Sequence, residues 1–166
     1  MASEYFTERQ RFRQVWVWAL LAGLGLLFVW AFIQQIIMGI PWGNNPASDT
    51  GLLLFSLIPF GIIVLFLAAR LETRIDRNGI SYRFFPFHRS WREIEWKMIS
   101  RAYVRQYKPI SEFGGWGVRY GSGSSKAYNV SGNQGLQIEL KNGKKILIGT
   151  IQPEEIAKHL QATSPR

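Results

Sequence analysis

Two long apolar stretches without an interior charge constrain this chain more than any other feature of its sequence. They cover about residues 14–38 and 51–70. A bilayer core about 30 Å thick requires about 20 apolar residues in helical conformation, and both stretches reach that length. The sequence therefore predicts two transmembrane helices, joined by a short connection as a hairpin.

Each stretch has one alternative interpretation. The first follows basic residues, as the core of a signal peptide does, but it is too long and no small-residue cleavage pattern follows it. The second resembles a helix buried in a soluble core, yet it has no polar face over about five turns. Pro59 lies within it, and lipid-embedded helices tolerate proline because neighbouring groups satisfy the carbonyl that it frees. Two membrane spans remain the simpler interpretation.

The arginines around the two stretches predict their orientation. Lys and Arg near span ends are retained on the cytoplasmic side, whereas acidic residues count for little. The flanking arginines are Arg9, Arg11, Arg13, Arg70, Arg74 and Arg77, and the connection GIPWGNNPASDT contains neither Lys nor Arg. We therefore expect both termini in the cytoplasm, with residues 1–13 as an N-terminal segment and residues 71–166 as a domain on the same side.

The segment after the second stretch is polar and basic. Residues 71–166 contain sixteen Lys and Arg against eight Asp and Glu. A cation beside an anionic leaflet gains on the order of 1 kcal/mol, so apposition to the membrane accounts for the excess charge and we expect no nucleic acid partner. The chain has no Cys, which excludes disulfides and thiolate chemistry. The segment is long enough for one small domain.

Residues 71–166 have the pattern of short antiparallel strands. Asn78-Gly79 and Asn142-Gly143 are pairs that form tight hairpin turns, and each lies between alternating apolar residues. Further strands are predicted over Trp116–Tyr120 and Lys126–Val130, and a helix is predicted from Pro153. About seven strands closed by one C-terminal helix indicate an α+β fold built on a strongly bent sheet or barrel.

Five segments of the second half resemble a bacterial pleckstrin-homology-like (PH-like) domain of the small membrane-protein type. They read IDRNGISYR, IEWKMIS after a Trp, GGWGVRYG, KAYNVSG and LQIELKNGKKILIGTIQPEEIAKHL, and they extend from Ile75 to Leu160. The resemblance implies a seven-stranded antiparallel β-barrel with a C-terminal helix, following two spans in the bacterial inner (cytoplasmic) membrane. Members of this family are mostly uncharacterised, and the resemblance predicts the architecture of the domain more than its function.

The sequence offers no convincing set of catalytic or metal-binding groups. His88 and His159 have no Cys partner and no spacing suited to a metal, and we interpret both as solvated surface residues. Glu93 and Glu95 share one strand face, as a paired acid and base would, but flanking basic residues favour a screened surface charge cluster. The glycine-rich segment EFGGWGVRYGSGSS lacks the Lys-Ser/Thr ending of a phosphate-binding loop. We expect no enzymatic activity, no cofactor and no metal.

Basic residues at two places are candidate contacts for a headgroup or a partner. They are Arg101, Tyr103, Arg105, Lys144 and Lys145. The first three recur at every second position of a predicted strand and share one face, which can grip lipid phosphates or can equally be the solvated side of a strand. The two lysines lie at the last hairpin turn, where they can touch headgroups, although lysines are common at such turns.

These observations favour a non-enzymatic, membrane-anchored protein whose domain takes part in protein–protein interaction or self-assembly at the cytoplasmic face. A sensor of anionic lipid headgroups, acting through the basic strand or the hairpin tip, is the first alternative. An accessory subunit of a membrane transporter or enzyme is the second. The expected partners are therefore the lipid bilayer and a protein or second copy, with an anionic lipid as the alternative ligand.

Overall fold

The computed structural model describes residues 5–121 and 124–163, and the chain forms two compact units. The first unit, Arg13–Ala68, is helical. The second unit combines Met1–Phe12 with Ala69–Arg166, and we call it the sheet domain. The N-terminal segment, expected to be separate from the domain, therefore contributes to it.

The helical unit contains the two apolar helices that the sequence predicts. Helix α1 spans Val15–Phe32 and continues as a π-helical turn over Ile33–Ile37, and helix α2 spans Asp49–Ala68. Both are long and apolar enough to cross a membrane, and only 17% and 11% of their most apolar windows are buried. The core helix of a soluble protein is mostly buried, so this exposure suits a hairpin whose surface faces lipid.

A glutamine at the end of the first helix organises the connection to the second. The Gln35 side-chain amide donates hydrogen bonds to Asp49 Oδ1 at 2.9 Å and to the Ala47 carbonyl at 2.8 Å. Ser48 accepts a further bond from the Gly51 amide at 3.1 Å, as an N-terminal helix cap does. Gln35, Ser48 and Asp49 thus form a set of hydrogen bonds where one helix ends and the next begins.

The sheet domain begins with a four-stranded antiparallel sheet in the order β1-β2-β3-β4. Its strands are β1 (Phe6–Arg11), β2 (Arg70–Ile75), β3 (Gly79–Phe85) and β4 (Arg92–Glu95). Strand β1 pairs along the whole of β2. The sequence predicted no strand here because Glu8 and Gln10, which point inward with Phe6, hide the alternation of apolar residues.

A five-stranded sheet follows in the order β5-β8-β9-β7-β6. Its strands are β5 (Ile99–Gln106), β6 (Gly117–Tyr120), β7 (Ser125–Asn129), β8 (Gln134–Leu140) and β9 (Lys145–Gly149). The pairing of β7 with β9 is parallel, and the other pairs are antiparallel. The described residues therefore form nine strands in two sheets, whereas the sequence predicted about seven strands, all antiparallel. The difference arises from β1 and from a 3₁₀ turn, Trp96–Met98, that separates β4 from β5.

Two helices complete the domain. The short helix α3 (Pro109–Phe113) lies between β5 and β6, and α4 (Pro153–Thr163) follows the last strand. Helix α4 buries Ile156 and Leu160 against the strands, as their spacing predicts. The main core consists of the inward side chains of both sheets together with this helix. The resulting architecture is α+β, with two apolar helices, two sheets and one C-terminal helix.

Buried polar contacts fix β1 to the end of β9. The Thr150 hydroxyl and the Ile151 amide each donate to the Glu8 carboxylate at 2.7 Å, and Gln10 Nε2 donates to the Gly149 carbonyl at 2.6 Å. Burial raises the pKa of the Glu8 carboxyl, although the hydrogen bonds it accepts act in the opposite direction. The N-terminal strand is thus joined to the segment that leads into α4.

Candidate interaction groove

A polar groove lies on the outer face of the five-stranded sheet. Its volume is about 800 Å³, and its walls come from β5, β8, β9, helix α3 and the connection between β6 and β7. Tyr103 on β5, Gln137 on β8 and Leu147 on β9 are register partners, so these strands present one continuous face. Three of the five predicted contact residues line the groove, namely Tyr103, Arg105 and Lys145.

Arg105 is held by acceptors on both sides of the groove. Its Nη2 atom lies 2.8 Å from Glu112 Oε2 in an ion pair, and its Nε atom donates to Gln137 Oε1 at 3.0 Å. Glu112 also accepts the Lys108 backbone amide at 2.7 Å, which anchors the start of α3. The hydrogen bond from Arg105 lowers the pKa of the Glu112 carboxyl below its ordinary value. The Glu112 carboxyl is therefore ionised at neutral pH.

A second carboxylate balances the lysine of the groove. Glu139 accepts a hydrogen bond from the Tyr103 hydroxyl at 3.2 Å, and Lys145 Nζ lies 3.5 Å from the same Oε1 atom. The two sides of the groove thus repeat one arrangement, in which a basic side chain faces a glutamate. The groove has no uncompensated positive charge among these four residues.

An apolar cluster lies under one side of the groove. Phe113 of α3 packs with Tyr107, Ala127 and Leu147, all of which are buried. Gly121 is needed beneath this helix, because a Cβ atom there would lie 2.8 Å from the Phe113 ring. The cluster fixes α3 over the sheet and gives the groove one apolar side next to its charged pairs.

A buried asparagine positions the strand edge next to this cluster. Asn129 Nδ2 donates to the Tyr107 hydroxyl oxygen at 2.9 Å, and Asn129 Oδ1 accepts the Gly117 amide at 2.9 Å. Burial is the main cause that raises the pKa of the Tyr107 phenol, so this side chain stays protonated and uncharged inside the cluster. Gly149 lies against the same asparagine, where a Cβ would be 2.9 Å from Asn129 Cβ. The cluster is therefore closely packed.

The other two predicted contact residues lie outside the groove. The Arg101 guanidinium stacks over the Tyr103 ring, with its Cζ atom 4.8 Å from the ring centroid. Lys144 is exposed in the hairpin turn, where its amide bonds to Asn142 Oδ1 at 3.1 Å. The structure therefore brings Tyr103, Arg105 and Lys145 together in one site and leaves Arg101 and Lys144 outside it.

The interpretation of His88 as a solvated surface residue is wrong. The residue is only 9% exposed, and its ring packs against Tyr82 and Tyr128 at centroid distances of 6.0 and 5.1 Å. Burial is the largest cause that lowers its pKa, followed by the charges of Arg92 and Lys126. The sequence concealed this environment because the aromatic partners come from β3 and β7, far apart in the chain. Within the described residues, no group of three His, Asp or Glu side chains is arranged to hold a metal ion.

Sequence reasoning missed the acidic half of the groove. Glu112 and Glu139 are its carboxylates, and Phe113 provides its apolar side. The alternation in LQIEL indicates that Glu139 lies on the outer face of β8, but its register partner on β5 is Arg101, which lies far away in the sequence. No local pattern reveals that pairing.

No protein-family model matches this chain, and no curated protein matches it.

Proposed function

We propose that this chain is a non-enzymatic membrane protein whose sheet domain binds a segment of protein, from a partner or from a second copy, in the groove on its outer face. The two apolar helices would hold that groove beside the bilayer. The charge pairing inside the groove is the observation that carries the proposal, because it decides which class of ligand the site suits.

A site for a lipid phosphate or another isolated anion needs cations without partners. In the groove, Arg105 already pairs with Glu112, and Lys145 already faces Glu139. An incoming phosphate would meet two carboxylates and would have to displace them. A polypeptide segment offers both charges together with backbone donors and acceptors, so it can exchange partners with both pairs.

The composition of the groove also suits a protein ligand. Tyr and Arg are enriched at the energetically important positions of protein interfaces. Tyr103 and Arg105 stand side by side on β5, and Phe113 adds an apolar anchor point. A volume of about 800 Å³ is enough for a few side chains of an extended segment.

The pairing of the first two strands supports a common side for both chain ends. Strand β1 precedes the first apolar helix, strand β2 follows the second, and the two are neighbours in one sheet. A chain that crosses the membrane twice returns to the side from which it started. Two spans therefore place β1 and β2 on the same side, where they can pair. The arginine distribution favours the cytoplasm as that side, and the PH-like resemblance adds a bacterial inner membrane and a closed barrel to the proposal.

Site-specific crosslinking in the cells that naturally produce the chain tests the groove. We would replace Ser111, which is exposed on the groove wall, with the photo-reactive residue benzoylphenylalanine in the full-length protein. Irradiation should yield a defined covalent product with a protein, and mass spectrometry of that product would show whether it is a second copy. Tyr103→Ala in the same chain should reduce the product strongly, because it removes the aromatic side of the groove.

The matched control places the same reagent at Lys158, an exposed residue of α4 that does not line the groove. It should give no product of that mass. Lipid adducts alone at position 111, or one identical product from both positions, would overturn the proposal.

A further inference from the structure

A second surface of the sheet domain carries an unusual concentration of arginines. The outward positions of β1, β2 and β3 form one face of the four-stranded sheet, as their register shows. The arginines on that face are Arg9, Arg11, Arg70, Arg74 and Arg83, and we call this surface the arginine face. None of these residues belongs to the groove.

One carboxylate organises the centre of the arginine face but does not neutralise it. Glu72 pairs with Arg9 and Arg70 at 3.5 and 3.3 Å and accepts two hydrogen bonds from Arg83. Three guanidiniums therefore share a single negative charge. The centre of the face keeps a net positive charge, which a surface of anionic groups would complement.

An aromatic ring holds the adjacent part of the face in place. The guanidiniums of Arg74 and Arg83 stack on the Trp91 ring, with Cζ atoms 5.3 and 5.0 Å from its centroid. Stacking restrains these long side chains without neutralising their charge. Arg74 and Arg83 are thus held in place before any ligand arrives.

Two arginines of this face lie within a few residues of the apolar helices in the sequence. Arg70 follows the last residue of α2, Ala68, by two positions, and Arg11 precedes the first residue of α1, Val15, by four. Consecutive Cα atoms are 3.8 Å apart, so neither arginine can lie far from a span end. Arg70 pairs with Arg11 on one side and with Phe85 on the other, so the three residues mark one end of the sheet.

The loop after Phe85 adds exposed apolar and basic side chains at that same end. Phe87 is 60% exposed, and Arg89 two residues later is also exposed. Among the described residues, neither Arg11 nor Arg89 forms an ion pair with a carboxylate. Exposed aromatic rings beside cations are typical of protein surfaces that rest at the level of lipid headgroups.

We propose that this end of the arginine face docks on the anionic headgroups of the leaflet next to the spans, with Phe87 entering the interfacial region. The occupant is the bilayer surface, because the apolar ring has no use in binding a dissolved phosphate. The docking is independent of the groove and would hold the sheet domain in one orientation on the membrane. It also accounts for the positive charge of the arginine face, which lies outside the groove.

A fluorescent reporter at position 87 tests this docking in the full-length protein. The chain has no native cysteine, so Phe87→Cys provides a single site for a thiol-reactive, environment-sensitive dye. The protein is placed in nanodiscs of phosphatidylcholine, with or without phosphatidylglycerol, and some lipids carry a quencher at headgroup depth. We expect quenching in discs that contain phosphatidylglycerol and its loss at high salt.

Charge removal supplies the second part of the test. Arg11→Gln with Arg89→Gln should lower the docking equilibrium by about 30-fold, since two cations near an anionic surface are lost. Lys141→Gln with Lys144→Gln, which removes two charges from the β8–β9 hairpin, should leave it unchanged. A dye at Asn78, at the opposite end of β2 and β3, should stay unquenched.

Three outcomes would contradict the proposal. The dye at position 87 could remain in water in both lipid mixtures. It could be quenched equally in neutral discs at high salt, which would show that anionic headgroups are not the occupant. Inorganic phosphate could displace it at low concentration, which would assign the surface to a soluble anion.

Discussion

Individual charged side chains decide the properties of both outer faces of the sheet domain. In the groove, Glu112 and Glu139 each compensate one cation, whereas on the arginine face Glu72 serves three. Alternation in the sequence predicts which side chains of a strand share a face. It does not predict which carboxylate of a distant strand lies opposite, and that pairing decides whether an arginine is available to a ligand.

Glu72 offers a direct test of this charge balance. Its side chain is only 12% exposed, so Glu72→Gln would leave three guanidiniums without a counter-charge. We expect the free energy of unfolding of the sheet domain to fall by about 2 kcal/mol. Pulse proteolysis of the full chain in urea measures it. Glu95→Gln, which breaks an exposed pair with Lys97, is the control and should change stability by less than about 0.5 kcal/mol. Equal effects from both substitutions would contradict a special role for Glu72.

The raised pKa of the Glu8 carboxyl predicts that the stability of the sheet domain depends on pH. Because burial raises the pKa of this carboxyl in the folded state, the folded chain holds the proton more tightly than the unfolded chain does. The contribution of Glu8 is therefore greatest at low pH and is lost as pH rises through the raised pKa. Glu8→Gln has no carboxyl that titrates at this position. The free energy of unfolding of the wild-type chain, measured relative to that of Glu8→Gln, should therefore fall as pH rises above the ordinary glutamate range. A difference between the two chains that is flat with pH, or that rises with it, would contradict this assignment.

At the scale of elements, the sequence predicted well those parts that depend on neighbouring residues. Both Asn-Gly hairpins are present, and in the second Leu136 faces Ile148 and Ile138 faces Ile146 across the turn. Gly143 has φ +80°, the left-handed conformation for which glycine is suited. Helix α4 begins at Pro153, as predicted. Each of these features is encoded within a short window of sequence.

Elements that depend on distant partners were not predictable in the same way. The parallel pairing of β7 with β9 skips the hairpin strand β8, and no local pattern specifies it. Helix α3 is a single short turn whose stability comes from Phe113 packing on the sheet and from Arg105 bonding to Glu112. The two sheets therefore reveal a site that the linear order of residues conceals.

The N-terminal strand is the element whose role is easiest to test. Phe6 is 5% exposed and belongs to the main core, whereas its neighbour Thr7 points outward. Phe6→Ala should lower the free energy of unfolding of the sheet domain by about 3 kcal/mol because it leaves a cavity. Thr7→Ala should change it by less than about 0.5 kcal/mol. The same urea titration measures both, and two neutral substitutions would mean that the segment is a free tail.

At the scale of the whole molecule, two apolar helices interrupt a single sheet domain. The chain leaves the domain after β1, passes through both helices and returns to the neighbouring strand β2. In the membrane topology that we propose, this connectivity makes insertion of the helices and folding of the domain depend on each other, since β2 can pair with β1 only when both lie on the same side. We therefore expect a change that reverses one span, such as added arginines in the connection, to prevent the sheet from forming as well.

The central claim is that a two-helix hairpin holds a domain, built from both ends of the chain, on the cytoplasmic side of the membrane. Labelling of single cysteines with a membrane-impermeant maleimide tests this claim most directly. The chain has no native cysteine, so Thr7→Cys, Asn44→Cys and Asn78→Cys each report one position. In intact spheroplasts we predict labelling at position 44 only, with positions 7 and 78 labelled after the membrane is opened. Labelling of position 7 or 78 from outside, or protection of all three positions until the membrane is opened, would contradict it.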